Sequence, residues 1–361
     1  MRISGHFRQM AKGTSIINKI INKSVLIACC LLLYVTVVAQ KAVVHFVFTS
    51  DLHYGIYRPH FRGNDSVASY IVNAAQREAI RRLSFRPAAI IVTGDIANRA
   101  EKGIQPAAVS WKEFLHDYGD APRLLLTPGN HDASNVIGYT KALFPARDAS
   151  SMAGMYSMML GHKIDTANYD YHRDKINYSV NMAGVHMMFV NIWADSANRV
   201  WMEKDLALSK SKTPVLLFMH DPPEGDPKHF SRPSEAGDSI FENLLEEKHK
   251  DADKKSDSLE QGGLLAFLKK HPNIKAWFHG HSNYTEMYNY TGRHHEISLP
   301  VFRADSPMKG RESRNDETKL SFQLITIDAV QKKLTVKECL WNTKKKKAPL
   351  VWGKQRTISL R

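Results

Sequence analysis

The first half of the chain alternates short apolar runs with longer segments in which apolar residues recur at helical spacing. The runs are rich in β-branched and aliphatic residues, as buried strands are: VVHFVFTS (43–50), AAIIVTGD (88–95) and RLLLTPGNHD (123–132). Between them, residues 66–83 and 105–119 have the spacing of amphipathic helices. A repeated order of strand and helix predicts an α/β layered fold.

Two of these helices have predicted boundaries. Asp65 and Ser66 are candidate caps at the start of the first helix, and Gly119 is expected to end the second. Two other segments are less regular. Residues 149–160, rich in Met and Ser, have a weak pattern, whereas residues 239–260 are polar and charged and predict an exposed helical insertion.

The second half begins with a predicted β-hairpin over residues 176–195, whose turn lies at Ala183-Gly184. A short helix (197–209) follows the hairpin. The next elements are a strand, a helix and a strand: PVLLFMHD (214–221), GGLLAFLKKHP (262–272) and IKAWFHG (274–280). Beyond residue 286 the patterns are those of β-strands, which would complete a second sheet: residues 295–305, 320–329 and 332–341.

The first 40 residues differ from the rest. They contain five basic residues and no acidic residue, and the sixteen-residue apolar run SVLIACCLLLYVTVVA ends them. Because this run is shorter than the ~20 residues that span a bilayer, the layout predicts a signal peptide over residues 1–39 that is removed on export. The protein is therefore expected to be periplasmic or secreted in a bacterium. An alternative is a lipoprotein box with lipid attachment at Cys29.

Composition and charge narrow the class of protein. With 361 residues and a 43% hydrophobic fraction, the chain is not intrinsically disordered. Cys29 and Cys30 lie in the leader, so Cys339 alone would remain and no internal disulfide could form. The formal net charge of +14 falls to +9 without the leader's basic residues. The cluster Lys344–Lys347 predicts a solvated turn rather than a nucleic-acid patch, because no aromatic residues are interleaved with it.

Polar side chains follow the predicted strands at their carboxyl ends. In open α/β sheets, ligands bind in the crevice beyond these ends, so these side chains should share one site. Oxygen and imidazole donors without cysteine suit divalent Zn, Mn, Fe, Co or Ni, and about seven donors favour two ions. The side chains are Asp51, His53, Asp95, Asn130, His131, Asp132, His220, His279, His281 and Asn283.

The order of these blocks carries a resemblance. D-x-H, GD, GNHD, H and GH-x-N follow one another from residue 51 to 283. This order resembles the calcineurin-like metallophosphoesterase superfamily, whose last block is GH-x-H, over residues 43 to about 300. The resemblance implies a two-layered β-sheet sandwich flanked by helices, with a dinuclear metal site at the carboxyl ends of the strands. It implies a catalytic domain over residues 40–300. The strand patterns predict that residues 301–361 are a C-terminal β-rich extension that completes the second sheet.

The resemblance also implies roles for individual residues. Asp51 and His53 would bind the first divalent ion, and Asp95 would bridge both ions. A water bridging the two ions would be the nucleophile, since two cations make it acidic. His131 would act as general acid or as a donor to the leaving oxygen, with Asp132 orienting its ring. The ligands of the second ion would be Asn130, His220 and His281.

One ligand position departs from the family pattern. Asn283 stands where the family has a histidine ligand of the first ion, and an amide oxygen is a weaker donor than imidazole. We expect Asn283 to fill this position, although His279 could rotate in instead. A second difference is Asn98, which stands where purple acid phosphatases have the tyrosine that gives their colour, so such an enzyme is not expected.

Four cations are weaker candidates for binding the substrate phosphate. Arg58, His60 and Arg62 lie in YRPHFRGND, a predicted loop after the D-x-H block, and Arg99 follows Asp95 by four residues. Solvated loop residues are the alternative interpretation of all four.

Two functions are compatible with this set of residues. The first is an exported metal-dependent phosphoesterase that acts on phosphomonoesters or phosphodiesters, with nucleic acid expected only as a substrate. The second is a non-catalytic, metal-dependent receptor for phosphate or glycan in which the first metal site is degenerate. The intact His131-Asp132 pair favours the enzyme, because a receptor does not need a positioned acid.

Overall fold

A computed structural model describes the side chains or backbone of most of the chain after the predicted leader. The described residues are 43–99, 102–137, 143–171, 173–210, 212–225, 229, 254–343 and 349–361. The predicted signal peptide with Cys29, most of the predicted insertion at 239–260 and the Lys344–Lys347 cluster lie outside them. No helix within these ranges is long and apolar enough to span a bilayer.

Strands and helices alternate through the first two thirds of the chain. The helices are α1 (Ser69–Arg81), α2 (Ala107–Tyr118), α3 (Asn130–Ile137), α4 (Ser150–Leu160), α5 (Ser196–Leu208) and α6 (Lys254–Lys270). The strands are β1 (Val43–Thr49), β2 (Tyr57–Phe61), β3 (Asn64–Ala68), β4 (Ala89–Thr93), β5 (Leu124–Thr127), β6 (Tyr178–Met182), β7 (Val185–Phe189), β8 (Val215–Phe218), β9 (Ile274–His279), β10 (Glu286–Tyr290), β11 (Leu299–Arg303), β12 (Ser321–Asp328), β13 (Lys333–Leu340) and β14 (Val351–Ser359).

Two six-stranded sheets and a separate hairpin of β2 and β3 contain these strands. The first sheet has the order β14-β13-β12-β1-β4-β5, and the second has the order β10-β11-β9-β8-β7-β6. Each sheet contains a run of parallel strands: β1, β4 and β5 in the first, and β7, β8, β9 and β11 in the second. Parallel neighbours end on the same side, so each sheet presents a row of carboxyl ends.

Aromatic side chains join the two sheets. Phe48 on β1 meets Phe218 and Phe278 of the second sheet edge-on, with ring centroids 6.4 and 5.4 Å apart. Within the second sheet, Phe218 stacks on Phe189 and Phe278 at 4.8 and 4.7 Å. All four rings are fully buried. The core therefore lies between the sheets, and the helices flank them, which confirms the predicted sandwich.

Several predicted elements are confirmed. The hairpin of β6 and β7 turns at Ala183 and Gly184, whose φ angles of 52° and 76° are those of a type I′ turn. Helix α2 ends before Gly119 as predicted. The weakly patterned segment 149–160 is helix α4.

Two predictions near the start of the chain are wrong. Asp65 and Ser66 do not cap a helix: they lie in β3, and α1 begins after Ala68 with no side-chain cap. The segment YRPHFRGND is the β2–β3 hairpin rather than a loop. Cross-strand pairing therefore determines the backbone here, in place of local capping.

We predicted that the C-terminal strands complete the second sheet. This prediction is wrong for β12, β13 and β14. β12 pairs antiparallel with β1 over residues 43–48, and β13 and β14 continue outward from it, so these strands extend the first sheet. β10 and β11, which precede them, do join the second sheet. The reason is that β1 would otherwise leave one edge of its backbone without partners. Cys339 lies buried in β13.

Candidate metal centre

The predicted ligands converge where the strands of both sheets end. Asp95, directly after β4, lies at the middle of the group. Its Oδ2 is 3.4 Å from His220 Nε2, 3.7 Å from His53 Nε2 and 3.9 Å from His131 Nε2. Its Oδ1 accepts the backbone N–H of His131 at 2.8 Å, which holds the carboxylate in place. A carboxylate oxygen facing three imidazoles suits a bridge between two cations.

The backbone at this site adopts an uncommon conformation. Five of the predicted ligands have φ between 43° and 65°, in the left-handed region: Asp51, His53, Asp95, His281 and Asn283. Asp, Asn and His tolerate this region better than other residues with a side chain. Such conformations persist where the surrounding structure enforces them, and they concentrate at functional sites. The sharp turns let each strand end aim its side chain back toward the crevice.

A set of donors suitable for the second ion surrounds His220. Its Nε2 lies 3.0 Å from Asn130 Oδ1 and 3.3 Å from His281 Nδ1. Its Nδ1–H donates to the carbonyl of Thr93 at 2.7 Å, so Nε2 is left with a lone pair that can bind a cation. Donors around one ion lie about 3 Å apart, because each is about 2 Å from it. The predicted ligands of the second ion therefore fit.

The candidate donors for the first ion are buried side-chain atoms. Asp51 Oδ1 lies 3.6 Å from His53 Nε2. Both atoms, and Asn283 Oδ1, have no hydrogen-bond partner among the residues that the structure describes. Burying polar atoms in this way is costly unless something else satisfies them. Divalent cations fit this set of oxygen and nitrogen donors, and Asn283 rather than His279 presents an unsatisfied donor.

His279 is held out of the centre. Its ring is fully buried at the end of β9, its Nδ1–H donates to the Gly280 carbonyl at 2.9 Å, and its Nε2 lies 3.4 Å from the Tyr288 hydroxyl. Both ring nitrogens are thus engaged away from Asp51. The expectation that Asn283 is the better candidate agrees with this arrangement.

The carboxylates and imidazoles at the centre stabilise each other's charges. Burial alone would raise the pKa of Asp95, but His220 and His131 hold that pKa well below its usual range. Burial likewise opposes charge on His220, yet Asp95 and Asp51 raise the pKa of its imidazole to about 10. Two buried carboxylates therefore favour positive charge beside them. A second proton on His220 supplies it, and a divalent ion bound at Nε2 would replace that proton.

His131 faces the centre, but Asp132 does not orient its ring, contrary to our prediction. The His131 Nδ1 accepts the backbone N–H of Arg99 at 3.2 Å, so in the neutral ring the proton is on Nε2, facing Asp95. The Asp132 carboxylate instead accepts backbone N–H groups of Ala97 at 2.8 Å and of Gly129 at 3.0 Å. Asp132 thus ties the two loops after β4 and β5 together.

Three of the four predicted phosphate-binding cations lie outside the centre. Arg58 is buried, and its guanidinium donates to the Pro307 carbonyl at 2.8 Å and to the Ser313 carbonyl. His60 is exposed on the hairpin beside Asp65, and Arg62 donates to Asn342 at 2.8 Å. The hairpin turns these side chains to other neighbours.

Arg99 is the exception among these cations. Its backbone N–H donates to His131. Burial lowers the pKa of His131 and Asp95 opposes this effect, while the charges of Lys309, His53 and Arg99 lower the pKa further. Arg99 therefore lies close enough to His131 to affect the charge of its imidazole.

Sequence reasoning missed two residues at the centre. Asp221 follows His220 directly, is fully buried, and places Oδ1 3.8 Å from His281 Nδ1 while its Oδ2 pairs with His229 at 2.7 Å. Lys309 places Nζ 3.0 Å from Asn98 Oδ1 and 3.5 Å from His131 Nε2. Adjacency to His220 was an available signal for Asp221. Lys309 belongs to none of the five sequence blocks, so no comparable signal pointed to it.

The chain is similar to known proteins in sequence and in fold. The family model for calcineurin-like phosphoesterases matches residues 44–284. A dimetal phosphatase from Danio rerio has the same fold, with a TM-score of 0.53 and 12% identity over 88% of this chain and 99% of its own. A phosphopantetheinyl hydrolase from Mycobacterium tuberculosis is 13% identical over 76% of this chain and 93% of its own, with a TM-score of 0.37. A search of curated protein sequences found no significant match.

Proposed function

Because the chain belongs to the calcineurin-like phosphoesterase family and is therefore a phosphoester hydrolase, we propose that it hydrolyses phosphomonoesters or phosphodiesters with two divalent cations at the strand ends. The observation that carries the proposal is the position of Asp95 Oδ2, within 4 Å of imidazole nitrogens of His53, His131 and His220. Asp51 and Asn283 would complete the first site, and Asn130 and His281 the second.

Divalent cations would contribute two things to the reaction: a nucleophile derived from water at neutral pH and neutralisation of charge in the transition state. The chain's own residues would bind the ions, orient the ester and donate a hydrogen bond to the leaving oxygen. His131 carries a proton on Nε2, since Arg99 N–H occupies Nδ1, and Nε2–H can donate a hydrogen bond to the leaving alcohol oxygen as the P–O bond breaks. The consumed water supplies the proton that this oxygen takes up. One water is consumed; a monoester releases an alcohol and inorganic phosphate, and a diester releases an alcohol and a phosphomonoester.

Replacing His131 tests the proposal. His131→Ala should lower kcat for p-nitrophenyl phosphate or its bis ester by roughly 10²- to 10³-fold, the loss expected when one hydrogen-bond donor to the transition state is removed. The manganese content of the protein, measured by mass spectrometry, should not change, because His131 is not among the proposed ligands. His116→Ala is the matched control, since that ring is exposed on α2.

The result that would contradict the proposal is also specific. If the wild type and His131→Ala are equally inert on both esters with manganese or zinc bound, the chain would not be an enzyme for these substrate classes. A receptor for phosphate would then be the better description.

We also propose that the protein is exported. The basic start and the sixteen-residue apolar run of residues 1–40 support this proposal. Expression of the full chain in a bacterium, followed by fractionation and intact-mass measurement, tests it. A periplasmic or secreted product lacking residues 1–39 is expected. A product with a lipid on Cys29 would indicate membrane anchoring, and an unprocessed cytoplasmic chain would contradict export.

A further inference from the structure

The segment 304–314, beyond the family match, crosses the metal centre. The Ser306 hydroxyl donates to the backbone carbonyl of Asp51 at 2.7 Å, and the backbone N–H of Arg311 donates to the carbonyl of Asn283 at 2.6 Å. The segment is thus attached to the first and last ligand blocks of the chain. These two hydrogen bonds fix the position of the segment beside the metal centre.

Arg58 also holds this segment. Its side chain is 1% exposed, and its guanidinium donates to the carbonyls of Pro307 and Ser313, on either side of Lys309. A buried guanidinium is costly unless its donors are satisfied, so this arrangement resists movement of the segment. The backbone on both sides of Lys309 is therefore held in place by hydrogen bonds.

The Lys309 ammonium lies beside His131. Its Nζ donates to Asn98 Oδ1 at 3.0 Å and lies 3.5 Å from His131 Nε2. Because His131 Nδ1 accepts the Arg99 N–H, Nε2 of the neutral ring is also a donor. Two donors cannot bond to each other, but both can donate to one negatively charged oxygen placed between them. A phosphoryl oxygen is such an acceptor.

We propose that Lys309 binds a non-bridging phosphoryl oxygen of the substrate next to His131 and that it favours phosphomonoesters over phosphodiesters. The proposal rests on the proposed phosphoesterase function. A monoester carries close to two negative charges at neutral pH and has one more terminal oxygen than a diester, which carries one charge. An additional cation fixed at the site therefore stabilises the monoester more.

A different role for Lys309 would be to replace the first ion, since Asn283 is a weak ligand. The contacts favour the substrate role, because the ammonium lies against Asn98 and His131 rather than in the Asp51–His53 pair. The two roles differ in metal content. A lysine that takes the place of an ion should allow one more ion to bind when it is removed.

The test compares Lys309→Met and Lys309→Arg with Lys319→Met, an exposed lysine of the same C-terminal region. Binding of inorganic phosphate to the manganese-loaded proteins is measured by calorimetry, and kcat/KM is measured for p-nitrophenyl phosphate and its bis ester. We expect Lys309→Met to lose about 10- to 100-fold in phosphate affinity and in monoester kcat/KM, the range for one charged hydrogen bond. The diester value should fall less than about threefold. Lys309→Arg should recover part of the loss, and Lys319→Met should match the wild type.

Each result decides one question. Equal losses on both esters, unchanged phosphate affinity, or one additional manganese per chain in Lys309→Met would overturn the role of Lys309. If the wild type hydrolyses neither ester, the phosphoesterase proposal fails, and the phosphate affinities still decide whether Lys309 binds phosphate. If Lys309→Met does not fold by circular dichroism, Lys309→Arg decides: partial phosphate affinity with unchanged manganese supports the proposal, and wild-type phosphate affinity with a changed ester ratio contradicts it.

Discussion

Asn283 shows how a single residue can change the strength of one metal site. Its side-chain N–H donates to the His281 carbonyl at 3.1 Å, and its Oδ1 is buried and unsatisfied within the described chain. An amide oxygen is a neutral and weaker donor than imidazole toward Zn or Mn. The first ion should therefore be bound less tightly than the second, whose donors include His220 and His281.

Two substitutions at this position should act in opposite directions. Asn283→His should lower the Kd of the more weakly bound manganese ion by about tenfold or more. Asn283→Ala should raise that Kd by a similar factor, as the loss of side chains that support metal sites does. Titration of the metal-free protein with manganese, followed by calorimetry, measures both. If both variants weaken binding equally, Asn283 is not a ligand.

The turns after the strands are the elements that place the ligands. Gly280 follows β9, and a Cβ built there would lie 1.9 Å from Ser50 Oγ and 2.2 Å from Asp51 Oδ2. Backbone of the second sheet must therefore approach a ligand of the first sheet without a side chain between them. This contact joins the ends of β1 and β9 and sets the distance between the two ligand groups.

Adding a methyl group at this contact should damage the centre. Gly280→Ala should lower the free energy of unfolding by about 1–3 kcal/mol, as overpacking does, and should reduce the manganese content because Asp51 must move. The matched control is Gly262→Ala, where no atom lies within 4 Å of the added Cβ. That helical substitution should stabilise the protein by about 0.5–1 kcal/mol. Chemical denaturation and metal analysis measure both effects, and equal stability of the two variants would contradict this account.

How far the sequence predicts these elements depends on the range of the contacts. The strands β1, β4, β8 and β9 were predictable, because their apolar runs and polar ends are local patterns. The pairing of β12 with β1 was not, since it joins residues about 280 apart along the chain. The same limit applies to the site. The ligands follow local motifs, whereas the contact of Lys309 with Asn98 and the burial of Arg58 depend on tertiary packing.

At the scale of the whole molecule, the family-matched region depends on the strands that follow it. β12 pairs with β1 at six positions and buries Phe322, Ile325 and Ile327. Each such side chain contributes about 1.5–3 kcal/mol on burial, and a domain has only about 5–15 kcal/mol in total. The catalytic core and the C-terminal strands should therefore fold as one unit.

Truncation tests this dependence. A chain of residues 43–314 retains the ligands and Lys309 but loses β12, β13 and β14. We expect it to lack a cooperative thermal transition by circular dichroism, whereas residues 43–361 should unfold in one sharp step. A soluble, cooperatively folding 43–314 chain would show that the first sheet does not need its antiparallel strands.

Cys339 gives this cooperativity a built-in reporter. The thiol is buried in β13, and burial raises its pKa to about 12, so in the folded chain it is neither accessible nor ionised. In a chain of residues 43–361 it is the sole cysteine. The rate at which a disulfide reagent labels it will measure how often the β12–β14 edge opens. Bound manganese should slow that labelling if the metal centre and the distant edge belong to the same cooperative unit.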